Sequence, residues 1–219
     1  MNGYVIASVV FLVIIIVFFP VCRQIYFKRM MRDVNSLDFK AFEKDVDSFW
    51  CKMAFSAFER ESLRLSMYEM TGNFAEGDKL VQMMENMRLN KKQKAELGER
   101  GFYLYLEQGR VKKARHMLEL CKQNGSEKQA QNLEILYSVL LCKESKSIDI
   151  LKEKVAALEN DQNAGAKQAV GTFEYLIGLQ YSYRKDWKQM REWLEKAQAD
   201  LKDSPYLEDI HKLLEAHPA

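Results

Sequence analysis

Between Pro20 and Pro205 the chain contains no proline. Proline removes a backbone donor and collides with the preceding helical turn, so nothing of that kind interrupts a helix over most of the 219 residues. The stretch is filled with Leu, Met, Glu, Lys, Gln and Ala, which are good helix formers. Alternating Val/Thr/Ile runs, the mark of strands, are missing. From residue 36 the apolar spacing is helical: Phe39, Phe42, Val46, Phe49, Trp50 and Met53 fall on one face. These features predict an all-α chain.

The N-terminus has a different character. Residues 1–22 carry no charged side chain, while the remainder holds all 33 Lys+Arg and all 31 Asp+Glu. As a helix this run spans about 30 Å, the thickness of a hydrocarbon core. No basic residue precedes it, and Phe-Phe-Pro-Val-Cys offers no small-residue cleavage site. The expectation is a retained single-pass transmembrane anchor at 1–22, a basic juxtamembrane linker at 23–36 and a helical-repeat domain at 37–219. Arg23, Lys28, Arg29 and Arg32 all precede the first acid, Asp33. By the positive-inside rule the N-terminus is expected outside and the domain in the cytoplasm.

The domain reads as repeated units of helix, short polar or Gly turn, and second helix. The turns fall at residues 70–73, 108–110, 144–147 and 184–186, in the spacing range of helical-hairpin repeats. One unit gives Ile177, Gly178, Tyr181, a turn at Lys185, then Trp187, Met190, Leu194 and Ala197. A second gives Phe102, Tyr105, Gly109, Val111, Ala114, Leu118 and Cys121. A third gives Leu65, Tyr68, Gly72, Phe74, Gly77, Val81 and Met84. A weaker copy holds Val139, Cys142, Ile148, Leu151, Val155 and Leu158, and a half-copy holds Phe39, Phe42, Val46 and Phe49. This pattern resembles the tetratricopeptide repeat over roughly residues 37–203. Met190 and Leu151 stand where that family prefers a small residue, and a helical solenoid of another kind meets the same physical need. The expected architecture is an α-solenoid of about four hairpins, closed by a capping helix at 206–216.

No catalytic constellation is visible. His116, His211 and His217 lack Cys or His at ligand spacing, so no metal is expected. Phosphate-loop, dinucleotide and nucleophile-elbow motifs are missing, so no enzyme activity, cofactor or small-molecule substrate is expected. A net charge of +2 gives no general pull on nucleic acid. Cys22, Cys51, Cys121 and Cys142 form no CxxC pair and read as small buried hydrophobes of a reducing compartment, Cys22 differing at the membrane edge.

What the resemblance implies is peptide binding. The family's groove positions fall on Glu96, Glu99, Tyr103, Leu106, Tyr175, Leu179 and Tyr183, an acidic end leading to an apolar and aromatic one. The expected function is a membrane-tethered scaffold or adaptor holding a protein or peptide partner in that trough. The alternative is a structural subunit or assembly factor of a membrane complex that also uses the N-terminal helix for contacts.

Overall fold

The computed structural model describes residues 3–158, 163–201 and 204–217, without the side chains of residues 3–17 and 164. Among the described residues every regular element is helical. In chain order these are α1 (Gly3–Asn35), α2 (Phe39–Val46), α3 (Phe49–Ala54), α4 (Ala57–Met70), α5 (Phe74–Glu85) and α6 (Lys91–Glu107). There follow α7 (Val111–Asn124), α8 (Glu127–Leu136) with a π-helical turn at Tyr137–Leu141, α9 (Ile148–Leu158), α10 (Ala164–Tyr183), α11 (Trp187–Asp200) and α12 (Tyr206–Ala216).

One local device recurs. Leu37, Gly72, Gly109, Lys143 and Lys185 all adopt positive φ, between 54° and 67°, just past the end of a helix. The left-handed residue lets the chain reverse while the last carbonyls are still satisfied. Asp38 N donates to Asp33 O, Asn73 N to Tyr68 O, Arg110 N to Tyr105 O and Asp186 N to Tyr181 O, at 2.8 to 3.0 Å. An apolar residue then opens the next helix in each of these four cases: Phe39, Phe74, Val111 and Trp187. At Lys143 the bond runs one residue further back, from Glu144 N to Ser138 O, because the π turn inserts a residue.

The turns set opposed positions. Seven residues before and five after the left-handed residue stand Leu65 and Gly77, Phe102 and Ala114, and Gly178 and Met190. A large side chain in one helix therefore faces a small one in the other, and the last unit trades the two. A Cβ on Gly178 would lie 2.6 Å from Leu194 Cδ2. Gly178 thus makes room for the Leu194 side chain and the Met190 carbonyl, and Met190 itself is fully buried. In α6, a Cβ on Gly98 would lie 2.8 Å from the Cys121 backbone nitrogen, so α6 and α7 meet at backbone distance.

The helices stack in two layers. The first helices α4, α6, the π turn and α10 touch in succession, and α5, α7 and α11 pack on their outer side. Three apolar clusters follow the chain: around Phe42 and Met30, around Phe102 and Leu118, and around Ile177 and Leu194. Leu136 packs against the second and third, joining them. Asp78 clamps the middle of the array, accepting from Tyr105 Oη at 2.7 Å, from Lys113 and from Arg110. Burial alone would raise its carboxyl, but the bonds from Lys113 and Tyr105 outweigh burial and hold it well below the usual range.

The third hairpin is looser than the others. α9 packs mainly against α10. Just before α9, the buried Ser147 N donates to Oε1 of the fully buried Gln180 at 2.8 Å. Tyr183 Oη donates to Val139 O at 3.0 Å, satisfying a carbonyl of the π turn.

The N-terminus requires a correction. No helix among the described residues is long and apolar enough to cross a membrane. The expected anchor at 1–22, and the single-pass placement with an outside N-terminus and cytoplasmic domain, are therefore withdrawn. Met1 and Asn2 lie outside the described residues, as do the side chains of 3–17. The charge-free run is not a separate element that ends where charges begin. Instead α1 passes through Pro20 and continues to Asn35, and its second half belongs to the fold. Met30 and Val34 are buried, Arg29 pairs with Asp45 at 2.9 Å, and Arg23 bonds Glu59 and the Ala54 carbonyl. Residues 23–35, expected as a linker, are thus the first helix of an additional hairpin with α2. The cysteines are all free; Cys51 and Cys121 are buried, but Cys142 is exposed beyond the π turn, contrary to expectation.

Two outcomes are expected. Lys185→Gly relieves a left-handed lysine and should stabilise the chain by about 0.5–1 kcal/mol in urea unfolding. Glu174 is buried between α10 and α11 with Oε2 unbonded, and burial, then Asp200, pushes its carboxyl up to about 7 against the pull of Lys196. The stability linked to this group is fully present below the unfolded value of 4.5 and is lost as pH rises through about 7. Glu174→Gln should therefore raise the melting temperature at about pH 8, by the equivalent of ~1–3 kcal/mol, and change little at about pH 4.

Candidate functional site

A recess lies on the inner side, where α1, α4 and α6 converge. Its volume is about 520 Å³. Pro20, Arg23, Gln24 and Phe27 come from α1, Phe55 from the turn before α4, Glu59, Ser62 and Leu63 from α4, and Glu96 and Arg100 from α6. The walls are apolar and the floor is charged.

The local sequence explains the placement. Ser56 caps α4 and, with Glu59, forms a reciprocal capping box that fixes the first turn of the helix. Glu59 is thereby aimed at Arg23 of α1. Its carboxyl lies below the usual range: burial opposes this, but the bonds from Arg23 and Ser56 prevail. Asn90 and Gln93 form a second capping box that starts α6. Two turns along α6, Arg100 Nη1 donates to Ser66 Oγ at 2.8 Å and to Ser62 O at 3.4 Å, while its Nε bonds Glu96 at 3.3 Å. Arg100 therefore ties α4 to α6 across the groove floor. Ser62 is only 4% exposed and its Oγ has no partner. Glu69, one turn past Ser66 on the same face of α4, has its carboxyl pushed up to about 7 by burial, with Arg100 opposing and Glu107 reinforcing.

The residues expected to line a trough are distributed differently. Glu96 lies in the groove, already paired with Arg100. Glu99 accepts a bond from Gln129 and so bridges α6 to α8. Tyr103 is exposed and borders a smaller cavity of about 220 Å³, together with Leu136, Leu151, Lys154, Thr172 and Leu176. That cavity opens where the third hairpin splays. Leu106 packs against the central cluster. Tyr175 is buried under the cap, stacked on Tyr206 at 4.7 Å between ring centres and bonded to Asp209. Leu179 is buried in the C-terminal cluster, and Tyr183 is tied to the Val139 carbonyl. The aromatic end of the expected trough is thus largely occupied by the chain's own α12 and π turn.

Sequence reasoning missed Pro20, Arg23, Gln24 and Phe27, because residues 1–22 were assigned to a membrane and 23–36 to a linker. A signal was present: Tyr26, Met30 and Val34 recur at helical spacing among Arg and Lys, an amphipathic stripe. Among the described residues no group of His, Cys, Asp and Glu could hold a metal ion.

No protein-family model matches this chain, and neither a curated protein nor a solved structure matches it. The groove geometry is therefore the basis for a functional reading.

Removing the Arg100 cross-link should loosen α4 from α6. Arg100→Ala is expected to cost about 1–2 kcal/mol in urea unfolding, because Ser66 and Glu96 lose a charge-assisted partner at a half-buried site.

Proposed function

We propose that this chain is a protein-interaction module, an α-solenoid of tetratricopeptide-like hairpins that holds a segment of a partner protein in the groove between α1, α4 and α6. The observation that carries this reading is the recess of about 520 Å³ with apolar walls, a pinned charged floor and an unpartnered buried Ser62 Oγ. Concave sites with apolar walls and a few fixed polar groups are the usual form of a binding site. A solenoid suits this task because its inner helices present one continuous face.

A second reading, a subunit or assembly factor of a larger protein complex, draws on a different observation. Phe18, Val21 and Ile25 of α1 are exposed, as are Phe49, Trp50 and Met53 of α3; Phe49 is 66% exposed. The Phe18 and Trp50 rings meet at 5.5 Å, so this is one contiguous apolar face, and such faces mark interaction surfaces.

One experiment weighs the two. Peptides are selected by display on the full chain, and their affinities are measured for the wild type, for Phe27→Ser in the groove and for Phe49→Ser/Trp50→Ser on the outer face. The proposal expects Phe27→Ser to weaken binding about tenfold or more and the outer pair to leave it unchanged. Loss confined to the outer pair favours the second reading. Peptides indifferent to both overturn the groove assignment.

A further inference from the structure

The groove's own chemistry narrows what it can hold. Its side chains, with those about two turns further along α4 and α6, supply four acids, Glu59, Glu96, Glu69 and Glu107, against two cations, Arg23 and Arg100. Both cations are engaged, Arg23 by Glu59 and Arg100 by Glu96 and Ser66. Among the described residues no side chain bonds the carboxylate of Glu69. On α5, Glu76 pairs with Lys79, Asp78 with Lys113 and Arg110, and Glu85 with His116. On α6 the charged groups that act on Glu69 are Arg100 and Glu107, one of each sign.

A second, independent feature points to a ligand. Ser62 lines the recess, is more than nine-tenths buried and has no partner for its hydroxyl. A buried hydroxyl without a partner is costly, and a ligand's backbone amide or carbonyl would satisfy it. Above it Phe27, Phe55 and Leu63 form apolar walls of a recess large enough for one or two bulky side chains.

We infer that the groove takes an extended peptide segment bearing a large apolar residue within a few positions of a lysine or arginine. The apolar side chain enters between Phe27, Phe55 and Leu63, the peptide backbone meets Ser62 Oγ, and the cation reaches the unpaired carboxylates at Glu69 and Glu107. This deepens the proposed function and rests on it. It also relocates the acidic and apolar features of the expected trough, which here converge at the α1 end instead of lying at opposite ends. A bound cation favours the ionised carboxylate, so capture releases a proton from Glu69 and strengthens as pH rises through neutrality.

The test uses the full chain and fluorescein-labelled peptides of the form Ser-Gly-Lys-Ser-Phe-Leu-Ser-Gly-Ser. In companions the Lys is replaced by Gln or Glu, or Phe-Leu by Ser-Ser. Binding is read by fluorescence anisotropy. The Lys peptide should bind about tenfold tighter than the Glu peptide and should weaken comparably when Phe-Leu is removed. It should bind several-fold tighter at about pH 8 than at about pH 6, a gain that one proton limits to about a hundredfold across that range. Glu69→Gln, a partly exposed and nearly isosteric change, should erase the pH dependence and most of the charge preference while the circular dichroism spectrum is retained. If Lys, Gln and Glu peptides bind alike but Phe27→Ser still weakens them, the inference falls and the groove reading stands. If the Lys preference and its pH dependence survive Glu69→Gln, the role given to Glu69 falls. If no peptide of the panel binds, the inference falls, and the display-selected peptides decide the groove reading separately.

Discussion

Each pair of helices here covers one apolar face and leaves the other bare, and only the next pair can close it. The rest of the structure depends on that requirement. It is why Leu136 packs against two clusters at once, why α12 stacks its Tyr206 on Tyr175 at the C-terminal end, and why α1 is drawn into the fold at the other end. Stability in such an array is a sum of unit and neighbour terms. Each interface then needs a compact reversal of the chain so that the two helices of a pair stay in register. The left-handed residue after each first helix supplies it. Glycine does so without strain at two of the turns, whereas leucine and lysine accept a cost at the other three, which neighbouring contacts offset.

The polar network works within the same frame. Asp78, Arg64 and Arg100 each join helices of different units: Asp78 ties α5 to α6 and α7, Arg64 ties α4 to α2, and Arg100 ties α4 to α6. These are partly buried and charge-assisted contacts, stronger than isolated surface pairs. Among the described residues, two carboxyls that burial pushes up to about 7 escape such pairing, Glu174 in the α10–α11 interface and Glu69 on the inner face. The first is a local conflict in a packed interface. The second lies about two turns along α4 from the recess, on its inner face, where an unmet charge can serve recognition. Exposure separates the two cases: Glu174 is sealed, and Glu69 is partly open to solvent.

Much of the fold was legible in the chain. Helical spacing, missing proline and the Gly72 and Gly109 turns define helices and reversals through local preferences alone. The Lys185 turn was legible as well, from the pattern around it. The opposed pairs Leu65 with Gly77 and Phe102 with Ala114 were visible as a motif, but the reversed pair Gly178 with Met190 looked like a departure. Its meaning requires knowing that α11 comes close to α10 at Gly178, through Leu194 and the Met190 carbonyl. The site was less legible. Glu96 lines the recess between α1, α4 and α6, whereas Tyr175, Leu179 and Tyr183 are used internally, by the C-terminal cluster with α12 and by a π turn that no propensity announces.

The sequence by itself determined that the chain is all-α and reverses at short intervals, because helix propensity and turn chemistry act over a few residues. Only the tertiary structure decided the fate of α1. A charge-free run is compatible with several environments, and a membrane was inferred from it because nothing local shows what a helix packs against. The burial of Met30 and Val34, and the bonds from Arg23 and Arg29 to residues 16 and more positions away, are long-range facts. They make α1 one wall of the groove, so the candidate site exists only once helices distant in sequence have been stacked side by side.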